Sequence, residues 1–225
     1  MNSLRLGHSL EILRPSLHNG PGWRIAFWTQ GCRRPCTDQC LSPHLLDPAG
    51  GCLFAVADVV AAIRRTAAQS PWPVEGVTAL GGEPFDQAAA VAAVLRPLQA
   101  AGLSSMVYSG QTLEHLRGRR DPDVEELLAA TDLLVDGPFL PDRYDEHLAW
   151  RGSSNQRLLC LTSRYTPRDL EQAFAAQGKG FSIEIAPGRL SVSGPQSRRI
   201  AQQCEEIFAP PVTTVTPRDT ARRRP

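Results

Sequence analysis

Val74-Glu75-Gly76-Val77-Thr78-Ala79-Leu80-Gly81-Gly82-Glu83-Pro84 sets the architecture of this chain. Residues 74–80 form a short apolar run that stops at two glycines, which reads as a buried strand followed by a tight turn. Directly after it, Asp86 is placed to cap a helix that carries Val91, Val94, Leu95 and Leu98 at helical spacing. Pro97 is expected to kink or shorten that helix. Buried strand, glycine turn and helix together make one unit of an α/β protein.

The same alternation extends both ways. Upstream, Trp23-Arg24-Ile25-Ala26-Phe27-Trp28 alternates and is rich in β-formers, so it reads as a strand. Residues 54–68 carry Val56, Val59, Val60 and Ile63 at helical spacing. Downstream, residues 103–109 read as a strand, 112–116 and 123–130 as helical pieces, and 132–136 as a strand ending at Gly137-Pro138. Residues 137–156 form a long irregular loop, a length that suggests function. Then come a strand over 158–162, a helix capped by Thr166 with Pro167 at its first position, and a hairpin of 181–186 with 189–193. A last helix is expected over 196–208. The basic tail 211–225, ending Arg222-Arg223-Arg224-Pro225, has nothing to bury and is expected to be disordered. This order argues for a parallel α/β sheet or an open barrel, as one domain over residues 1–210.

Composition narrows the function classes. The 225 residues are 42% hydrophobic with a net charge of +1, so no global field draws the chain to nucleic acid or to an anionic membrane. No apolar stretch is long enough to span a bilayer, and residues 1–7 lack the apolar core of a secretory signal, which gives a cytoplasmic expectation. Of six cysteines, Cys32, Cys36 and Cys40 crowd one loop, four residues apart each time. That density in a reducing compartment points to metal rather than disulfides. Cys52, Cys160 and Cys204 are scattered and read as small buried hydrophobes.

In α/β folds, sites collect where strands end. Here those ends carry residues 31–40, Gly81-Gly82-Glu83-Pro84, Ser109-Gly110-Gln111-Thr112, Asp136-Gly137-Pro138 and Ser153-Ser154-Asn155. Three thiols leave two metal readings open. Zinc would need a fourth ligand such as His44. An iron–sulfur cubane would use three thiolates and leave one iron open to a substrate. The glycines of Gly81-Gly82 permit close backbone approach to a ligand, and Glu83 offers an acceptor for an amino group.

Taken together, these segments resemble the radical S-adenosylmethionine proteins, and most of all the activating proteins of anaerobic ribonucleotide reductase and other glycyl-radical enzymes. The resemblance covers about residues 16–195. It rests on Asn19-Gly20-Pro21-Gly22, Gln30-Gly31-Cys32, Gly81-Gly82-Glu83-Pro84 and Tyr108-Ser109-Gly110-Gln111-Thr112-Leu113-Glu114. Its most specific part is Leu134-Val135-Asp136-Gly137-Pro138-Phe139 with Trp150-Arg151-Gly152-Ser153-Ser154-Asn155-Gln156-Arg157. One departure stands out. The family pattern is Cys-x3-Cys-x2-Cys, whereas Thr37-Asp38-Gln39 makes the second gap one residue longer, with Gln39 where the family commonly has an aromatic.

The resemblance implies an incomplete (βα)6-type barrel with a mostly parallel sheet and a C-terminal hairpin. It implies that Cys32, Cys36 and Cys40 ligate a [4Fe–4S] cluster, and that Gly81, Gly82, Glu83 and Pro84 bind the methionine amino group of S-adenosylmethionine. Ser109, Asp136 and Asn155 become candidates for its ribose, amino or carboxylate groups, and Arg157 for its carboxylate or for an ordinary ion pair. The implied activity is reductive cleavage of S-adenosylmethionine to a 5′-deoxyadenosyl radical that activates a glycyl-radical enzyme, with flavodoxin or ferredoxin as electron donor. Two alternatives stand beside it: a radical enzyme modifying a peptide or other substrate, and a non-catalytic iron–sulfur or zinc-binding interaction protein.

Overall fold

The computed structural model describes residues 3–177 and the backbone of residues 182–186 and 189–193. The chain runs β1 (Ser3–Leu6), β2 (Pro15–Ser16), β3 (Trp23–Thr29), β4 (Cys52–Ala55), α1 (Val56–Gln69), β5 (Val74–Gly81) and α2 (Ala88–Ala100). It continues with β6 (Ser104–Tyr108), α3 (Leu113–Gly118), α4 (Pro122–Ala129), β7 (Leu133–Asp136), β8 (Arg157–Cys160) and α5 (Pro167–Gln177). A separate hairpin, β9 (Ser182–Ala186) with β10 (Arg189–Ser193), follows as expected. The helix expected over 196–208, the tail and Cys204 lie outside the described residues.

The main sheet has the order β4-β1-β3-β5-β6-β7-β8, with β2 beside β3. Its centre, β3-β5-β6-β7, is parallel. The flanking pairs β1–β3, β1–β4, β2–β3 and β7–β8 are antiparallel. Among the described residues the sheet is mostly parallel at its centre and open, not closed on itself. The reason lies in residues 137–156. They hold only a 3-10 turn (Pro141–Arg143) and a bridge between Tyr144 and Ser153, with no crossover helix to bring β8 back parallel.

Helices α1, α2 and α4 cover one face of the sheet. Val59, Ile63, Val91, Leu95, Leu98 and Leu127 bury there against Ile25, Phe27, Val77, Val107 and Leu134. On the other face Met106, Leu133 and Val135 meet Leu170 of α5. Alternate residues of β6 and β7 thus serve opposite layers, as a two-sided parallel sheet requires. Two local expectations change. Asp86 does not cap α2; it lies in the 3-10 turn Pro84–Gln87, and its carboxylate accepts the Arg33 N–H at 2.8 Å. α2 passes through Pro97 to Ala100 without being cut short. Thr166 does cap α5, accepting from the Asp169 N–H at 3.3 Å while Asp169 returns a bond to the Thr166 N–H at 2.8 Å.

Alternation in β3 would have placed Arg24 on a wet face. Arg24 is instead 0% exposed. Its guanidinium donates to Thr78 Oγ1 (2.8 Å), Ser104 Oγ (2.8 Å), the Pro21 carbonyl (3.2 Å) and the Val77 carbonyl (2.8 Å). These four acceptors and a fifth, the Ser104 carbonyl at 3.2 Å, are neutral, and burial lowers the Arg24 pKa. Cys52 is exposed on the edge strand β4, and Cys160 is half-buried on β8, so neither is the fully buried small hydrophobe that the sequence suggests. Strands β1, β2 and β4, four, two and four residues long, are not among those the sequence pattern suggests.

Candidate functional site

Four parallel strands end at one edge of the sheet, and the loops leaving them carry the site. β3 delivers Gln30, Gly31 and Cys32; β5 delivers Gly82 and Glu83; β6 delivers Ser109, Gly110 and Gln111; β7 ends on Asp136. The first two loops are knitted together through their backbones. Gly82 N–H donates to the Thr29 carbonyl at 2.9 Å, and Glu83 N–H to the Gly31 carbonyl at 2.9 Å. Gly31 N–H donates to Leu45 (2.8 Å) and Cys32 N–H to Leu46 (3.0 Å). A Cβ on Gly82 would stand 2.0 Å from the Gly31 carbonyl oxygen, and Gly81 has φ +121°. The glycine pair thus allows a close approach, but to the root of the cysteine loop.

Beyond that root the loop opens to solvent. Cys36 is exposed, Cys32 and Cys40 are half-buried, and all three are free thiols. Thr37 Oγ1 accepts from the Gln39 N–H at 3.1 Å and folds the extra residue into a small exposed turn. Among the described residues, no three His, Cys, Asp or Glu side chains gather round a point that a single ion could occupy. His44 is exposed on the 3-10 turn Pro43–Leu45. Tetrahedral zinc needs four ligands about one ion. A cubane needs one thiolate on each of three irons, so its ligands stand apart.

Glu83 is the electrostatic centre, 3% exposed. Its Oε1 accepts the Phe85 N–H at 3.0 Å, its Oε2 accepts the Gly110 N–H at 2.9 Å, and the Ser109 hydroxyl reaches both oxygens at 3.1 Å. Every one of those donors is neutral. Burial pushes the carboxyl up to about 7, the donors oppose it, and Asp86 adds to it. The Cβ position of a residue replacing Gly110 would lie 3.7 Å from both Cys36 Sγ and Glu83 Oε2, so the thiol and the carboxylate both border Gly110. Burial also pushes the Cys32 thiol up to about 11; the Arg34 N–H opposes this, and Glu83, Asp86 and Cys36 reinforce it. A Cys32 thiol that resists ionisation and a buried carboxylate whose donors are all neutral fit a site completed by cations. Iron would take the thiolates, and a ligand ammonium would take Glu83.

The remaining candidates are brought near one another, in different roles. Pro84 is buried at the start of its 3-10 turn. Ser109 is engaged with Glu83 and accepts the Gln111 N–H at 3.0 Å. Asp136 is 0% exposed; its Oδ2 accepts the Leu113 N–H at 2.7 Å at the start of α3, and its Oδ1 accepts Arg157 Nε at 2.9 Å. Arg157 also grips Glu114 at 2.7 and 3.0 Å. That grip holds Glu114 down to about 2, and the bonds to Asp136, with those to Glu114, hold Arg157 well above its usual range. Of the two roles considered for Arg157, the structure displays the ion pair. Asn155 Nδ2 donates to the Pro138 carbonyl at 2.7 Å, while its Oδ1 is buried with no partner among the described residues.

Sequence reasoning passed over Gln111. Both atoms of its amide are buried without a partner among the described residues. The only signal in the sequence was its place between Gly110 and a helix start.

A family model described as a 4Fe-4S single cluster domain matches residues 18–159. The chain is also similar to proteins named anaerobic ribonucleoside-triphosphate reductase-activating protein. That of Vibrio cholerae is 29% identical over 146 residues, covering 61% of this chain and 88% of that protein. That of Pasteurella multocida is 29% identical over 153 residues, covering 64% and 91%. That of Escherichia coli K12 is 28% identical over 146 residues, covering 61% and 88%.

Proposed function

Because the chain belongs to the 4Fe-4S single cluster domain family, we propose that it is a radical S-adenosylmethionine enzyme that activates a glycyl-radical partner of the anaerobic ribonucleotide reductase type. The relatives are named as activating proteins of anaerobic ribonucleoside-triphosphate reductase, and they are matched over 85% or more of their own lengths. The observation that carries the reading is Glu83: a buried carboxylate, hydrogen-bonded only by neutral donors, at the carboxyl ends of parallel strands, with Cys36 bordering the same Gly110.

Cys32, Cys36 and Cys40 would hold three irons of a [4Fe–4S] cluster, and Glu83 would hold the amino group of S-adenosylmethionine by a charge-assisted hydrogen bond. The chemistry supplied when both are bound is one-electron cleavage of the sulfonium to methionine and a 5′-deoxyadenosyl radical, which abstracts hydrogen from a glycine of the partner. This chain's own residues prepare the site. Gly31 and Gly82 fix the root of the loop against the sheet edge. Ser109 and the Gly110 N–H hold both Glu83 oxygens in place. The same reading makes the protein cytoplasmic, with flavodoxin or ferredoxin as electron donor. Among the described residues no helix is long and apolar enough to cross a membrane.

The test is anaerobic reconstitution followed by metal and product analysis. Close to four irons and four sulfides per chain are expected, lost in Cys36→Ala, with 5′-deoxyadenosine formed on reduction in the presence of the partner. Stoichiometric zinc without iron uptake, or a loaded, reduced cluster that yields no 5′-deoxyadenosine, would sink the proposal.

A further inference from the structure

At the amino ends of β3 and β5, the end of the sheet opposite the cysteine loop, lies a cavity of about 450 Å³. Its walls include Leu17 after β2, Gly22 and Trp23 at the start of β3, Glu75 on β5, and Ala176 and Gln177 at the end of α5. The Glu75 side chain is laid over Gly22. A Cβ there would stand 2.4 Å from Glu75 Oε1 and 2.7 Å from Oε2, and Gly22 has φ +71°, so glycine alone suits the position and leaves this space to the carboxylate. Glu75 is exposed, and among the described residues its carboxylate has no hydrogen bond or ion pair.

Gln177 reaches the same glycine from α5. Its Nε2 donates to the carbonyls of Leu17 (3.0 Å), Gly20 (3.2 Å) and Gly22 (3.4 Å). Three carbonyl acceptors identify that end of the amide as the nitrogen, and Oε1 is left buried without a partner among the described residues. Trp23 brings an indole that is held in place by Trp72, with centroids 4.3 Å apart and ring planes within 10°. Leu17 and Ala176 add apolar wall. An unpaired carboxylate, a fixed indole and aliphatic surface in one cavity complement a cation carried on an apolar stem.

We infer that this cavity binds a guanidinium group on an aliphatic stem, either a free small molecule or the arginine side chain of a partner. The guanidinium presents two parallel N–H donors to a carboxylate, stacks on indole, and carries no acceptor to oppose Gln177 Oε1. An ammonium would meet the charge of Glu75 without the planar fork. The volume falls within the range of small-molecule sites. The seven residues of β3 put roughly 20 Å between this cavity and the cysteine loop, so its binding is tested without iron.

The experiment measures binding to the full chain by calorimetry, with thermal melts alongside. The probes are agmatine, N-acetylargininamide, N-acetyllysinamide and N-acetylcitrullinamide, whose urea is flat but uncharged. Wild type is expected to bind at least one of the two guanidines saturably, and about tenfold or more tighter than the lysine and citrulline amides. Tighter binding of agmatine identifies a free small molecule as the source, and tighter binding of the blocked amino acid a partner's side chain; either supports the inference. Glu75→Gln should keep the wild-type melt and lose about tenfold or more in guanidine affinity. Ala176→Leu, also at an exposed position, should fill the cavity and lose affinity with the melt unchanged. If Ala176→Leu melts lower, Glu75→Gln decides alone. Unchanged affinity in a variant that melts like wild type, equal binding of either control amide, or no saturable binding of either guanidine by wild type would overturn the inference.

Discussion

Asp136 and Arg157 sit directly opposite one another in the antiparallel pair β7–β8, and the carboxylate and guanidinium join at two points. The carboxylate is wholly buried, whereas the arginine side chain keeps 43% of its surface exposed. Breaking a fully buried pair by removing one partner costs about 3–5 kcal/mol, and solvent access to Arg157 reduces that. Arg157→Leu is therefore expected to lower unfolding stability by about 2 kcal/mol in urea titration, while Glu114→Gln on the outer side of the same guanidinium leaves the midpoint nearly unmoved. Equal effects from the two substitutions would mean that the buried contact is not the dominant one.

Two glycines should respond in opposite ways to alanine. A Cβ at Gly82 meets the Gly31 carbonyl oxygen at 2.0 Å, so Gly82→Ala must push the cysteine loop off the sheet edge. A loss of about 2–3 kcal/mol is expected, with poor iron incorporation. Gly118, the last residue of α3, has nothing within 4 Å of its would-be Cβ. Gly118→Ala is expected to stabilise by about 0.5–1 kcal/mol, with iron content unchanged. Denaturant melts and iron assays on the two variants check both halves.

Glu83 gives the metal-free protein a pH dependence whose sign follows from burial. Its carboxyl is raised from 4.5 to about 7 in the fold. Between those values the folded chain holds a proton that the unfolded chain has released, so this group's contribution to stability falls as pH rises through that window and levels off above it. Glu83→Gln should remove that part of the slope and be more stable than wild type at pH 8. Parallel pH profiles for the two proteins would mean that Glu83 is not desolvated as described.

The longer gap between the second and third cysteines is taken up by the turn that Thr37 Oγ1 closes on the Gln39 N–H. Asp38 is exposed there. Because a small bulge costs little loop-closure entropy, deleting Asp38 should leave iron content after reconstitution unchanged. Loss of the cluster with a normal melt would show that the third cysteine needs the longer reach.

Much of this was legible in the sequence, for identifiable reasons. Glu83 could be read because a buried apolar run, two glycines and a carboxylate in order leave few other structures. Strand direction could not. The pattern of Leu158 to Leu161 is equally apolar whichever way β8 runs, and only the absence of a crossover helix in residues 137–156 makes it antiparallel. Asp86 looked like a helix cap because it precedes one, but the Arg33 N–H on the cysteine loop competes for it from far along the chain. Asp136 reads from the sequence as facing a ligand, and Arg157 as facing a ligand carboxylate or an unnamed ion-pair partner, because a side chain 21 positions away cannot be seen as a partner without the register. Gln111 was passed over because an amide on a loop ordinarily faces water, and its burial is a property of the fold alone.

At the far end of the sheet, Arg24 occupies space that exists only because another side chain is missing. A Cβ on Gly76 would stand 2.4 Å from both Arg24 Nη1 and Ser104 Oγ. The three positions lie on three neighbouring strands, yet none can change by itself. Any side chain at 76 evicts the guanidinium, and a shorter residue at 24 takes one donor from each of the Ser104 and Thr78 hydroxyls. Lysine cannot replace Arg24 either, since one ammonium cannot span acceptors on two strands and the Pro21 loop at once. In descent this makes positions 24, 76 and 104 a single heritable unit: lineages should keep all three or exchange all three, and intermediates with one replaced should be rare survivors.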